Sequence, residues 1–127
     1  MSLLDAMPFA GLLGVEGLEA SPDEVRARLA WDESRCTEGG ILHGGALMGL
    51  ADCTGGLCAY LNLPDGASAT ATIESKTNFF RPVTEGYVEA VSRVLHKGRT
   101  TIVVETDMRD ADGKHVARVT QTQAVLS

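Results

Sequence analysis

Asp52 is the only charged side chain between Gly44 and Pro64. A lone carboxylate in an apolar stretch is costly to bury unless something pairs with it or uses it. The stretch opens with Gly44 and Gly45 after His43. Two glycines there read as a helix start with bare backbone N–H groups facing outward. Backbone donors and an isolated carboxylate on one helix are the parts of an oxyanion site with a nucleophile or general base. The structural alternative is a carboxylate that caps another element or pairs with a distant arginine.

The elements that position these groups follow from periodicity. Gly44 to Leu61 reads as a helix, with apolar residues recurring at Leu47, Leu50, Ala51, Cys58 and Leu61. The pair Gly55-Gly56 weakens it by ~1 kcal/mol per glycine relative to alanine. Such a pair predicts close packing, with a sheet wrapped around the helix. Upstream, Leu3 to Leu13 reads as a short helix broken near Pro8 and Gly11. Val15 to Ala20 and Val25 to Trp31 read as strands around the Ser21-Pro22-Asp23 turn. Asp32 to Leu42 reads as a loop containing Gly39-Gly40. After the Pro64-Asp65-Gly66 turn, strands are predicted over Ser68 to Phe80, Gly86 to Leu95, Thr100 to Arg109 and Val116 to Leu126. Ile102, Val104, Thr106 and Met108 share one face, and Asp112-Gly113 marks a hairpin. The class is α+β: two strands, one long helix, then four consecutive antiparallel strands.

One helix covers one face of a six-stranded sheet. The strands read as apolar on both faces, with Val91 and Leu95 opposed to Val88 and Val94. An uncovered apolar face predicts an oligomer. Spacing along the helix supports the same expectation. Gly44 and Asp52 are eight residues apart, ~12 Å along a helix axis, too far for both to touch one carbonyl. Two such helices lying antiparallel across a two-fold axis bring Gly44 of one chain to Asp52 of the other, giving two shared sites per dimer.

Composition excludes several classes. The chain has 127 residues, 44% of them hydrophobic, and reads as one domain over 1–127. Its net charge of -6 disfavours nucleic acid as a partner. No apolar run is long enough for a transmembrane helix. Met1 to Gly14 is unlike a signal peptide, having no basic start and containing Asp5 and Pro8. The expected location is the cytoplasm. Cys36, Cys53 and Cys58 lack metal or redox spacing and read as reduced packing residues. Cys53 has no identifiable partner base. His96 and His115 read as isolated surface residues. No metal or cofactor is expected.

The segment His43-Gly44-Gly45-Ala46-Leu47-Met48-Gly49-Leu50-Ala51-Asp52 resembles the signature of hotdog-fold acyl-CoA thioesterases of the phenylacetate-pathway (PaaI-like) type. The resemblance extends over nearly the whole chain. It includes Asn78-Phe79-Phe80-Arg81-Pro82, Gly98-Arg99 and Asp112-Gly113-Lys114. It implies a hotdog fold, in which a long central helix is wrapped by a six-stranded antiparallel sheet. It also implies dimers that commonly pair into tetramers.

Residue by residue, the resemblance implies that the Gly44 N–H is the oxyanion donor, with Gly45 beside it on the substrate side. Asp52 is then the catalytic carboxylate, attacking directly or activating water, across the dimer interface from Gly44. Thr72 falls where a hydroxyl assists the water or the carboxylate. Thr37 stands six residues before His43, where the family often has Asn or Gln to polarise the carbonyl. His43 reads first as a residue fixing the loop before the helix, with proton transfer by a neutral imidazole as the other role. Lys97, Arg99 and Arg81 are candidates for the phosphates of coenzyme A, against the alternative of a solvated hairpin. The implied reaction is hydrolysis of an aryl-acetyl or medium-chain acyl-CoA. The competing classes are a hotdog hydratase or dehydratase and a non-catalytic acyl-CoA-binding protein.

Overall fold

The computed structural model describes residues 3–127. Met1 and Ser2, which begin the segment read as unlike a signal peptide, lie outside the described residues. The axis of the fold is a helix of 17 residues, α2 (Gly44–Tyr60), preceded by a short helix α1 (Pro8–Leu13). Ten of the α2 residues are buried, so the helix is enclosed on most of its circumference. One side stays more open. Met48, Asp52, Gly56 and Tyr60 follow one another at every fourth position, and all but half-buried Gly56 are exposed. Residues four apart on a helix lie one above the other, so these form a stripe with Asp52 inside it. At the helix end, Asn62 Nδ2 donates to the carbonyls of Cys58 and Pro22, both at 2.8 Å. That side chain ties the helix to the turn between the first two strands.

The break that the sequence predicted near Pro8 falls at Met7, and the one predicted near Gly11 is absent, because Gly11 lies within α1; Pro8 marks the break from its far side. It begins α1, because a helix's first residue has no intrahelical use for an N–H. Leu3–Ala6 forms a separate 3₁₀ turn. Gly14 ends α1 at φ 93°, a left-handed conformation that suits glycine.

The strands are β1 (Glu16–Ala20), β2 (Val25–Ala30), β3 (Ala69–Phe79), β4 (Tyr87–Lys97), β5 (Thr101–Asp110) and β6 (His115–Leu126). They form one antiparallel sheet in the order β1-β2-β4-β5-β6-β3. The four strands after α2 are therefore consecutive in the chain but not in the sheet. β3 takes the outer edge beside β6, and the chain then crosses to β4 and returns through β5. Asp110 Oδ1 closes the β5–β6 hairpin by accepting the Asp112 and Lys114 amides at 3.0 and 2.9 Å.

The inner face packs on α2 through Val88, Ala90, Ile102, Val104, Met108 and Val119, all fully buried. The outer face departs from the expectation of a second apolar surface. Cross-strand ion pairs occupy it: Glu89 binds both Arg26 and Arg28, and Asp107 binds Arg118 and His115. Val91 is half-buried among them, and Leu95 lies at a bulge in β4. The Arg26 and Arg28 guanidinium groups hold the Glu89 carboxyl below its usual range. Burial works to raise Asp107, but hydrogen bonds from Arg118 and His115 outweigh it and lower its pKa. His115 is correspondingly half-buried, its ring 4.9 Å from that of Phe80, and is not the isolated surface residue expected. Leu95 is itself exposed, and other large exposed apolar side chains lie on several elements; Ile73 (62% exposed), Phe79 (51%) and Phe80 (56%) lie on or just after edge strand β3. Among the described residues, no helix is long and apolar enough to cross a membrane.

Candidate active site

Asp52 stands near the middle of α2, on its open stripe. Two side chains from the sheet bind the same carboxylate oxygen. Thr72 of β3 donates its hydroxyl to Oδ1 at 3.0 Å, and Gln121 of β6 donates Nε2 to Oδ1 at 2.9 Å. Gln123, the cross-strand partner of Thr72, donates Nε2 to the Thr72 oxygen at 2.7 Å. The Thr72 oxygen thus receives one proton and gives its own to Asp52. Gln121 reaches Asp52 because Gly55 lets the helix lie against it. A Cβ at Gly55 would stand 1.8 Å from Gln121 Oε1.

The sequence reading missed both glutamines. They lie in the polar run Thr120-Gln121-Thr122-Gln123, where alternation of polarity gives no inside or outside. Strand parity from buried Val119 does mark them: side chains alternate faces, so 121 and 123 follow 119 inward.

Beside Asp52 lies an apolar cleft of about 600 Å³, with Leu3, Met7, Phe9, Leu57, Tyr60 and Leu61 in its walls. Thr72 and Gln123 form its polar flank. A Cβ built on Gly56 meets nothing within 4 Å, so this glycine leaves space in the cleft rather than room for the sheet. Gly55 alone serves the close packing that the sequence assigned to both. Cys53 also borders the cleft, but burial, with the Asp52 charge adding to it, pushes its thiol up to about 11. A thiol that stays protonated at neutral pH is a poor nucleophile. Among the described residues, no group of three or more His, Cys, Asp or Glu is placed to hold a metal.

The other candidates fall into three places. At the start of α2, His43 Nδ1 accepts the Gly45 N–H at 2.7 Å and acts as the helix N-cap. That bond occupies the Gly45 amide and leaves the Gly44 N–H without a partner among the described residues. It also puts the proton of a neutral His43 on Nε2. Phe79 closes over Gly44, its Cζ 3.0 Å from where a Cβ would stand. Thr37 is exposed in the loop before the helix, with its amide bonded to the Ile41 carbonyl at 2.8 Å. Lys97 and Arg99 are exposed at the β4–β5 turn. Lys97, Ile102, Gln123 and Thr72 are successive cross-strand partners, which puts the Lys97 backbone ~14 Å from Thr72 at the usual strand spacing. Arg81 follows the far end of β3, nine residues from Thr72, or ~30 Å along an extended chain. One chain therefore does not bring Arg81 to Lys97 and Arg99.

The chain and its fold, six antiparallel strands with one long helix, are matched by known proteins. A model of the thioesterase superfamily matches residues 39–117. The chain belongs to this superfamily. Its architecture is the hotdog fold, and the chemistry of the family is thioester hydrolysis. The match contains Gly44, Asp52, Thr72, Arg81, Lys97 and Arg99 and stops before Gln121 and Gln123. The proofreading thioesterase EntH of Cronobacter turicensis is 31% identical over 90% of this chain and 82% of its own length. The solved structure of a mutant of thioesterase PA1618 from Pseudomonas aeruginosa superposes with a TM-score of 0.90 at 30% identity, covering 97% of this chain and 91% of that one. A hypothetical thioesterase of Streptococcus pneumoniae, solved with coenzyme A, gives a TM-score of 0.80 at 25% identity over 89% of this chain and 86% of that one.

Proposed function

We propose that this superfamily member is a cytoplasmic acyl-CoA thioesterase, formed by one hotdog domain over 1–127, acting on aryl-acetyl-CoA or medium-chain acyl-CoA. The observation that carries the reading is the placement of Asp52: accessible, held at one oxygen, and bordering an apolar cleft of about 600 Å³. Such a cleft suits an apolar acyl group. The coenzyme A bound to the pneumococcal thioesterase supports the other half of the substrate.

In this reading the acyl group lies in the cleft and its carbonyl oxygen receives the Gly44 N–H. Water attacks the carbonyl carbon while its proton passes to Asp52. The tetrahedral oxyanion is stabilised by the amide donor and the positive end of the α2 dipole. Collapse breaks the C–S bond, and the leaving thiolate takes the proton from Asp52. Direct attack by Asp52, through an acyl anhydride that water then hydrolyses, reaches the same products.

The spacing of Gly44 and Asp52 requires two chains. Antiparallel pairing of two α2 stripes across a two-fold axis brings the Gly44 of each chain to the Asp52 of the other, and such dimers pair into tetramers. The exposed Ile73, Phe79 and Phe80 beside the unpaired edge of β3 supply apolar surface for the dimer. Lys97 and Arg99 of one chain and Arg81 of its partner are then placed for the coenzyme A phosphates. Thr37 joins Gly44 on the carbonyl side.

The test is a panel of aromatic and aliphatic acyl-CoAs, with free thiol read by a thiol-reactive dye and products separated by chromatography. Thiol release in the presence of EDTA is expected. No thiol release across the panel, hydrated or dehydrated acyl-CoA as the only product, or activity lost with EDTA and restored by metal would overturn the reading.

A further inference from the structure

Gln121 is fully buried and half satisfied. Its Nε2 donates to Asp52 Oδ1 at 2.9 Å, while its Oε1 has no hydrogen-bond partner. A buried acceptor without a partner is destabilising. An apolar side chain of similar volume, such as methionine, would fill the space without that penalty. The packing around α2 therefore does not explain a glutamine here, but the bond to Asp52 does. The amide's orientation is also fixed. Turned over, it would set Oε1 against a carboxylate oxygen, acceptor against acceptor.

We propose that Gln121 is a positioning residue: with Thr72 it holds Asp52 by Oδ1 and leaves Oδ2 as the oxygen that reacts. The inference rests on the thioesterase reading above and adds to it which carboxylate oxygen works and what aims it. Both donors converge on Oδ1, and Oδ2 accepts none from the described residues. Gln123 secures the second donor, because its Nε2 fills the Thr72 oxygen and leaves the Thr72 proton for Asp52. Gly55 secures the first, since any Cβ there would collide with the Gln121 amide. Two donors on one oxygen stop rotation of the carboxylate about its Cβ–Cγ bond. In the general-base course, Oδ2 accepts the proton of the attacking water and returns it to the thiolate.

The experiment uses the full chain and whichever acyl-CoA the wild type hydrolyses best. It compares wild type, Asp52→Asn, Gln121→Met and Gln121→Glu by kcat, KM, melting temperature and the pH dependence of kcat. Gln121→Met is expected to melt no lower than wild type, to lose about tenfold or more in kcat and to change KM by less than about twofold. Gln121→Glu is expected to keep activity only at the acid end. A protonated glutamic acid donates as the amide does, and an ionised one repels Asp52. Unchanged kcat in Gln121→Met would overturn the inference. So would activity that only tracks melting temperature in both variants. If Gln121→Met does not fold, an unshifted pH optimum in Gln121→Glu overturns it. A wild type that releases no thiol overturns the thioesterase reading itself and this inference with it, whereas Asp52→Asn at full rate overturns the inference and leaves thioester hydrolysis standing.

Discussion

Asp52 is held on one side and open on the other, the arrangement on which its proposed role rests. Thr72 and Gln121 bind Oδ1, and the open stripe of α2 exposes the group to the cleft. Asp52→Asn keeps the shape and an acceptor oxygen but removes the base and nucleophile. It should lower kcat by about 10²–10⁴-fold with little change in melting temperature. A melting temperature that falls in step with the rate would mark Asp52 as a structural carboxylate instead. This residue was legible in the sequence because its charge was isolated among apolar neighbours. Gln121 and Gln123 were not, because they are polar in a polar run and their role comes from which way the strand faces. Thr72 was legible only through the family resemblance. Nothing local marks a strand threonine as the donor to a carboxylate twenty residues away.

Helix α2 is buried on most sides and keeps one open stripe, which carries Asp52. Its extent was legible to within a residue, Gly44 to Leu61 predicted against Gly44–Tyr60 found. Its open stripe was not, because Met48, Gly56 and Tyr60 carry no shared polarity with Asp52. The two glycines proved different. Gly55 meets Gln121, and Gly56 meets only the space of the cleft. Gly56→Leu should therefore fold, helped by about 1 kcal/mol of helix propensity, and should fill the acyl space. The kcat/KM ratio of acetyl-CoA to medium-chain acyl-CoA is expected to rise about tenfold or more, the scale of one or two methylenes in an apolar pocket. An unchanged ratio in a folded variant would place the acyl group elsewhere.

At the scale of the whole molecule, strand number and class were legible, and the pairing order was not. Alternation tells which residues share a face but not which strand lies beside which, so β3 beside β6 had to be seen. The reason first offered for oligomerisation also changed. Ion pairs occupy much of the outer face of the sheet, and Ile73, Phe79 and Phe80 are exposed on or just after the β3 edge. The proposed dimer rests on that edge and on the spacing of Gly44 and Asp52, ~12 Å along the helix axis. Mixed dimers test this central claim most directly. Chains carrying Asp52→Asn are combined, with subunit exchange confirmed, with chains carrying Gly44→Val, in which the added side chain crowds Phe79 and the oxyanion site. Each homodimer should be inactive. Each mixed dimer holds one site with both defects and one with neither, so it should recover up to about half the wild-type activity, as expected for two equivalent sites related by a two-fold axis. No recovery in confirmed mixed dimers would place the whole site within one chain and contradict the account.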